Sequence, residues 1–161
     1  MKILFLMATL FLVGCSSTYE RIDIKTLSSP LNKDKPVFVT QPVNGSYGEI
    51  VYHNSGVMTQ LALQKSLTTY TELTDSKTTA GYIFEPKILH WEDRATEWSG
   101  KKDKITIQVR VYKMPSKEKV ADSTINGSSK FITFGGDHPQ DLLKEPFDLF
   151  IKSLYDTGKG K

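Results

Sequence analysis

Cysteine and long apolar segments are scarce in this sequence. Cys15 is the single cysteine among 161 residues, so no disulfide can form within the chain and the fold depends on its core. The one long uncharged apolar run, residues 3–13, is shorter than the roughly 20 residues that span a bilayer. A chain of this length fits a single domain.

A strong net charge and the motifs of common enzymes are also lacking. The balance of 21 Lys and Arg against 18 Asp and Glu is too even for a nucleic-acid interface. Neither a Gly-rich phosphate-binding motif nor a Gly-x-Ser-x-Gly nucleophile motif occurs. His90-x-Glu92 begins the pattern of zinc deaminases, but the two downstream cysteines of that pattern are missing. The sequence therefore predicts no nucleic-acid partner and no cofactor, and no catalytic set can be recognised in it.

The N-terminus has the organisation of an export signal. Lys2 precedes the apolar run, and the small residue Gly14 ends it directly before Cys15. A positive start, an apolar segment of about 7–15 residues and a small residue at the cleavage site are typical of a secretory signal peptide. We therefore expect residues 1–14 to be a cleaved signal peptide.

The tetrapeptide Leu12-Val13-Gly14-Cys15 resembles the bacterial lipobox. The resemblance implies cleavage between Gly14 and Cys15, a diacylglyceryl group on the cysteine sulfur and a third acyl chain, palmitate, on the new amino terminus. Two acyl chains already give stable membrane anchoring, so the bilayer is the first predicted partner. The alternative is an ordinary cleaved signal with an incidental cysteine.

Ser16 bears on the destination of the protein. In Gram-negative lipoproteins, Asp at this position is the signal for retention in the inner membrane. Ser16 therefore implies a lipid anchor in the outer membrane with the domain in the periplasm, or an anchor in the cell membrane if the host has one membrane.

The polar segment after Cys15 separates the anchor from the domain. Residues 16–35 are rich in Ser, Thr, Lys and Asp, and Pro30 interrupts any regular element. We interpret residues 15–35 as a flexible tether, residues 36–156 as one globular domain and residues 157–161 as a frayed tail. Ile22, Ile24 and Leu27 leave open that part of the tether docks as a short edge strand.

The first half of the domain predicts a strand followed by a helix. Residues 36–40 are typical of a core strand, and residues 44–48 of a loop. A helix begins at Asn54 or Ser55. Its predicted buried face consists of Val57, Met58, Leu61, Ala62 and Leu67. Leu63 falls off this stripe, so the helix is either buried on two sides or less regular than this pattern.

The second half predicts strands and then a C-terminal helix. Strands are expected at residues 70–74, 80–94, 104–114 and 120–125, and Asn126-Gly127 is interpreted as a turn. In residues 80–94, a period of two places His90 and Glu92 on the face opposite Trp91. The helix has Pro139 at its first position, and Pro146 either kinks it or starts a second one. Its apolar stripe is Phe147, Phe150, Ile151, Leu154 and Tyr155.

This order of elements predicts an α+β fold. A single small domain is expected, with a mostly antiparallel or mixed sheet of about five strands, one helix after the first strand and a C-terminal helix packed on the sheet.

Two stretches, residues 90–100 and 133–143, combine aromatic, charged and glycine residues. In both, the chain resembles a family of bacterial lipoproteins of unknown function, and the resemblance extends over most of the domain. It implies a lipid anchor and a fold, and it assigns no catalytic residue. The predicted interaction surface consists of His90, Trp91, Glu92, Asp93, Arg94, Trp98, Gly135, Gly136, Asp137 and His138. Tryptophans that close the core, local ion pairs and a tight glycine turn are the structural alternatives.

A metal site is the second hypothesis for the same stretches. His90 and Glu92 share a strand face, and His138 with Asp137 can complete a ligand set from the loop. That arrangement would suit a metal-binding protein or a metal-assisted hydrolase. The favoured hypothesis is a non-enzymatic lipoprotein that binds an envelope protein or peptidoglycan.

Overall fold

A five-stranded mixed sheet is the largest element of the computed structural model, which describes residues 17–94, 101–129 and 138–156. The strands of the sheet are β1 (Thr18–Lys25), β2 (Val37–Val39), β5 (Tyr82–Glu92), β6 (Lys104–Lys113) and β7 (Glu118–Ser128), in the spatial order β1-β7-β6-β5-β2. Neighbouring strands are antiparallel except for β2 and β5, which are parallel.

The remaining elements are a small hairpin, two helices and a 3-10 turn. They are β3 (Ser46–Tyr47), β4 (Ile50–Val51), α1 (Ser55–Leu67), the 3-10 turn Pro139–Leu142 and α2 (Lys144–Tyr155). α1 follows the first core strand β2, and α2 ends the described chain. The predicted α+β class is confirmed.

Buried and partly exposed side chains alternate strictly along β6, and this shows which face of the sheet carries the core. Ile105, Ile107, Val109 and Val111 are almost completely buried, while the residues between them lie on the opposite face. β7 pairs with β6 over its whole length, including Asn126 and Gly127. The predicted turn at Asn126-Gly127 is therefore wrong. Glycine is required there because a Cβ atom on Gly127 would lie 2.9 Å from the Ile105 side chain.

A register shift in β5 changes which residues face the core. The irregularity lies between Ile88 and His90, so one extra residue enters the strand. Because side chains alternate along a strand, this extra residue moves Trp91 to the core side, where it is 2% exposed. An unbroken period of two from Tyr82 and Phe84 would place Trp91 on the face opposite these core residues, and the period fails here for this reason.

β1 occupies the edge of the sheet beside β7. Its residues pair with β7 from Thr18 to Lys25, and they fall within the segment interpreted as a flexible tether. Leu31, further along that segment, is 5% exposed and its N–H donates to the Leu154 carbonyl at 2.9 Å. The tether interpretation is wrong for these residues, and the alternative of an edge strand is confirmed.

Two shorter segments also differ from expectation. Residues 70–74 form turns and a single parallel bridge between Val37 and Leu73 in place of the predicted strand. The predicted loop at residues 44–48 contains β3, which pairs with β4.

The C-terminal helix follows its predicted pattern. The 3-10 turn has Pro139 at its start, and α2 begins separately at Lys144, so Pro146 lies in the first turn of a second helical element. All five residues of the predicted stripe are buried: Phe147, Phe150, Ile151, Leu154 and Tyr155.

Candidate functional site

The predicted interaction surface divides into buried and accessible residues. Trp91 is part of the core, so it is unavailable as a docking anchor. The Arg94 and Asp103 side chains form an ion pair, 3.1 Å between Nε and Oδ2, with exposed fractions of 3% and 0%. The assignment of Trp91 and Arg94 to an interaction surface is therefore wrong. The structural alternative of a core tryptophan holds for Trp91, whereas Arg94 pairs with the distant Asp103.

Asp103 connects two chain segments at this end of the sheet. Its carboxylate accepts a hydrogen bond from the Arg94 N–H at 2.8 Å. Its own N–H donates to the Ser129 hydroxyl at 2.9 Å, and the Ser129 N–H donates to the Asp103 carbonyl at 2.9 Å. Burial raises the pKa of Asp103, although the hydrogen bond and charge of Arg94 oppose this shift. The network holds the chain on both sides of residues 95–100, and its role is structural.

Of the predicted metal ligands, His90 and Glu92 lie together, whereas His138 lies beside Asp93, which is not among them. His90 Nε2 lies 3.3 Å from Glu92 Oε2, and Lys104 Nζ lies 3.8 Å from the same oxygen. His138 Nδ1 lies 3.7 Å from Asp93 Oδ1. Within residues 17–94, 101–129 and 138–156, no three His, Cys, Asp or Glu side chains form a group that could hold a metal ion. The expected convergence of His90, Glu92 and His138 is not found there.

Five of the predicted site residues lie outside the described residues. They are Cys15, Trp98, Gly135, Gly136 and Asp137. Their assignments stay predictions.

An apolar surface that the sequence did not predict lies on α1. Val57, Met58 and Leu61 are 36%, 38% and 58% exposed. The opposite face of the helix is buried and consists largely of small or hydroxyl-bearing residues: Ser55, Gly56, Thr59, Leu63, Ser66 and Leu67. The helix thus directs three of its large apolar side chains toward solvent and buries two others, Leu63 and Leu67, so it lacks the usual single apolar face.

Gly56 explains why this face of the helix turns inward. A Cβ atom on Gly56 would lie 2.3 Å from the Pro42 carbonyl oxygen, so only glycine permits this approach. The Gly56 N–H donates to Asn44 Oδ1 at 3.0 Å, and Ser55 Oγ accepts a hydrogen bond from the Gly45 N–H at 2.8 Å. These contacts fix the start of α1 against residues 42–45.

The hairpin before α1 extends the exposed apolar surface. Val43 is 88% exposed, Tyr47 47%, Ile50 59% and Val51 50%. The hairpin is joined to the segment at the start of α1 by the hydrogen bond from the Tyr52 N–H to the Gly45 carbonyl at 2.9 Å. We call these residues together the apolar face: Val43, Tyr47, Ile50, Val51, Val57, Met58 and Leu61. Large apolar side chains that remain exposed are candidates for a site of interaction.

A polar contact joins the two helices beside a cleft that Ala62 and Leu149 help to line. Ser66 Oγ donates to Asp148 Oδ1 at 2.6 Å, and Lys144 Nζ donates to Asp148 Oδ2 at 2.7 Å. Burial of Asp148 raises its pKa, but the hydrogen bonds from Lys144 and Ser66 outweigh burial and hold the pKa below its usual value. This contact fixes α1 against α2 and so fixes the direction of the apolar face.

The fold is a small α+β domain with a meander of long strands, two helices and several large apolar side chains that are exposed within the described residues. The sequence profile described as "Domain of unknown function (DUF4823)" matches residues 73–154, from the bridge at Leu73 through α2. The chain belongs to this family. Among curated proteins, none matches the sequence.

Solved structures share the fold at low sequence identity. The PelC dodecamer from Paraburkholderia phytofirmans is 10% identical, with a TM-score of 0.59 over 88% of this chain and 99% of that chain. Protein XCC0632 from Xanthomonas campestris, of family DUF330, is 12% identical, with a TM-score of 0.54 over 81% and 92% of the two chains. The hypothetical protein CT253 from Chlamydia trachomatis is 10% identical, with a TM-score of 0.51 over 74% and 94%.

No helix within the described residues combines the length and the apolar character that crossing a membrane requires.

Proposed function

We propose that this protein is an exported lipoprotein, anchored in the outer membrane through acylated Cys15, whose periplasmic domain binds or assembles with an envelope protein. In this proposal the domain binds and does not catalyse. The lipobox Leu12-Val13-Gly14-Cys15 supports the anchor, and Ser16 supports the outer membrane as its location. The apolar face supports the binding role.

The observation that carries the binding role is the orientation of α1. A helix in a small domain normally buries its large apolar side chains, because each contributes about 1.5–3 kcal/mol when it is fully removed from water. Here Val57, Met58 and Leu61 are outside while Gly56, Thr59 and Ser66 are inside. A protein partner that covers the apolar face would recover this burial.

A second copy of this chain is one candidate for the envelope partner in this proposal. The PelC of Paraburkholderia phytofirmans, which shares the fold, is a dodecamer. This supports the idea that a domain of this fold can present a surface for assembly.

The anchor is tested by the chemistry of the mature N-terminus. We expect mass spectrometry of the membrane-extracted protein to find Cys15 as the first residue, carrying three acyl chains. We expect Cys15→Ser to abolish the membrane-bound fraction. A mature chain with an unmodified sulfhydryl at Cys15 would contradict the proposal.

The binding role is tested by photo-crosslinking from two isoleucines of equal exposure. Ile50 on the apolar face is 59% exposed, and Ile24 on β1 is 60% exposed, so Ile24 is a matched control. With a photoreactive residue at position 50, we expect a discrete crosslinked species in cell envelopes. The mass of the crosslinked species and the peptides identified in it distinguish a second copy of this chain from a different protein. Equal crosslinking from positions 50 and 24, or none from position 50, would refute this use of the face.

A further inference from the structure

The N-terminal strand starts close to the proposed anchor. β1 begins at Thr18, three residues after Cys15. Three residues of extended chain span at most about 10–11 Å. Because β1 is paired with β7 from its first residue, the end of the sheet that carries Thr18 cannot stand far from an acylated Cys15.

The strand register identifies what else lies at this end. Thr18 pairs with Ser128, and Ser128 pairs with Lys104, the first residue of β6. β1 and β6 therefore begin at the same end of the sheet, two strands apart, which is about 10 Å. The chain before Thr18 leads to Cys15, and the chain before Lys104 contains Lys101 and Lys102.

Three exposed lysines lie within four residues at this end. Lys101 and Lys102 are exposed, and the Lys104 side chain is 54% exposed. Of the carboxylates nearby, Asp103 is buried against Arg94 and Glu92 is 9% exposed, whereas Glu20 on β1 is exposed. Asp93 is half-buried and lies 3.7 Å from His138.

We propose that this end of the sheet lies on the bilayer that holds the acyl chains, and that Lys101, Lys102 and Lys104 contact the headgroups of anionic phospholipids. The inference rests on the proposed acylation of Cys15. Each Lys near an anionic membrane surface strengthens the attraction by about fivefold, and the effect fades within a Debye length of about 10 Å. The short link to the anchor keeps the lysines within that range. The opposite end of the sheet, with the turn from Lys113 to Glu118, lies about 30 Å away and points from the membrane.

The test measures which end of the lipidated protein is near the bilayer. The protein is reconstituted in vesicles of phosphatidylglycerol and phosphatidylcholine that contain a headgroup-labelled quencher lipid. A fluorophore is attached through Lys102→Cys at the near end or Lys117→Cys at the far end. Acylation blocks the single native cysteine in this proposal, so the introduced thiol is the labelling site.

We expect strong quenching at position 102 and little at position 117. Equal quenching at both positions in a protein whose acylated Cys15 is verified by mass spectrometry would overturn the orientation and leave the anchor intact. An unmodified Cys15 would overturn the orientation and the proposed anchor together.

A second arm separates headgroup contact from mere proximity. With the fluorophore at position 102, Lys101→Gln together with Lys104→Gln should lower the ratio of docked to undocked protein about 25-fold, since each lysine contributes about fivefold. Lys113→Gln together with Lys117→Gln removes the same charge at the far end and should leave the ratio unchanged. Replacing phosphatidylglycerol by phosphatidylcholine should reproduce the loss. If neither the near-end substitutions nor the replacement of phosphatidylglycerol changed the quenching, the contact with anionic headgroups would be refuted.

Discussion

Both helices contribute to the same core, but they differ in how many of their large apolar side chains they bury. α2 buries Phe147, Phe150 and Ile151 at no more than 1% exposure. α1 buries Leu63 and Leu67 on a face otherwise made of small and hydroxyl-bearing residues, and exposes Val57 and Leu61. α2 thus buries most of its large apolar side chains in the core, whereas α1 leaves several of its own exposed, and the proposed binding role assigns these to a partner.

The largest expected effect is on the buried face of α2. Phe147→Ala should lower the free energy of unfolding by about 3–5 kcal/mol, because it removes a fully buried ring and leaves a cavity. Leu149, on the same helix but 56% exposed, is the control, and Leu149→Ala should change stability by less than about 0.5 kcal/mol. Denaturant unfolding measures both, and equal losses would contradict the assigned faces of α2.

The next effect separates the two faces of α1. Leu63→Ala should cost about 2–5 kcal/mol, since Leu63 is 0% exposed. Leu61→Ala should change the free energy of unfolding of the isolated domain by less than about 0.5 kcal/mol, since Leu61 is 58% exposed. If denaturant unfolding showed a larger loss of stability for Leu61→Ala than for Leu63→Ala, α1 would have the orientation that its sequence pattern predicts.

A smaller effect concerns the contact that joins the helices. Asp148→Asn weakens the hydrogen bonds from Ser66 and Lys144, and we expect a loss of about 0.5–1.5 kcal/mol at neutral pH. Because the pKa of Asp148 in the folded state lies below its usual value of 3.8, the carboxylate contributes stability above that pH. That contribution is lost as the pH falls through the lower, folded-state pKa.

Unfolding measured from pH 6 down to pH 2 checks this sign. The loss of stability in the wild type should be steeper below about pH 4 than in Asp148→Asn. Ser66→Ala, which removes one of the two hydrogen bonds and leaves the carboxylate, should keep part of the acid dependence. An unchanged acid profile in Asp148→Asn would contradict this role of the carboxylate.

The smallest expected effect is an increase in the free energy of unfolding. Thr59 lies on the buried face of α1 at 0% exposure, and its hydroxyl has no hydrogen-bond partner among the described residues. Thr59→Val removes a buried unpaired hydroxyl at nearly the same volume, so stability should rise by about 0.5–1 kcal/mol. Thermal unfolding measures the shift, and a clear loss of stability would show that the hydroxyl is paired.

The sequence predicts the elements of this domain better than it predicts their faces. The alternation of β6 and the stripe of α2 are correct because in both the most apolar face is the buried one. α1 breaks that assumption, because Gly56 makes its small-residue face the one that can approach residues 42–45 closely. No periodicity in a single sequence signals that a helix will pack through its small side.

The end of the sheet that carries Trp91 and Arg94 is hard to predict from the sequence for related reasons. The single extra residue between Ile88 and His90 reverses the orientation of Trp91, and nothing local in the sequence marks its position. Arg94 and Asp103 are nine residues apart, and a pairing over that separation has no local signal in the sequence. The polar composition of residues 18–25 predicts a tether, but an edge strand needs little apolar surface to pair with its neighbour.

The central claim is that the apolar face is covered by a protein partner in the envelope. It is tested most directly by the mass of the detergent-extracted particle for the wild type, Ile50→Lys and Ile24→Lys. We predict that the wild type and Ile24→Lys migrate as the same complex, larger than one chain, and that Ile50→Lys migrates as a single folded chain. A single chain for all three proteins, or a complex that Ile50→Lys leaves intact, would contradict the account.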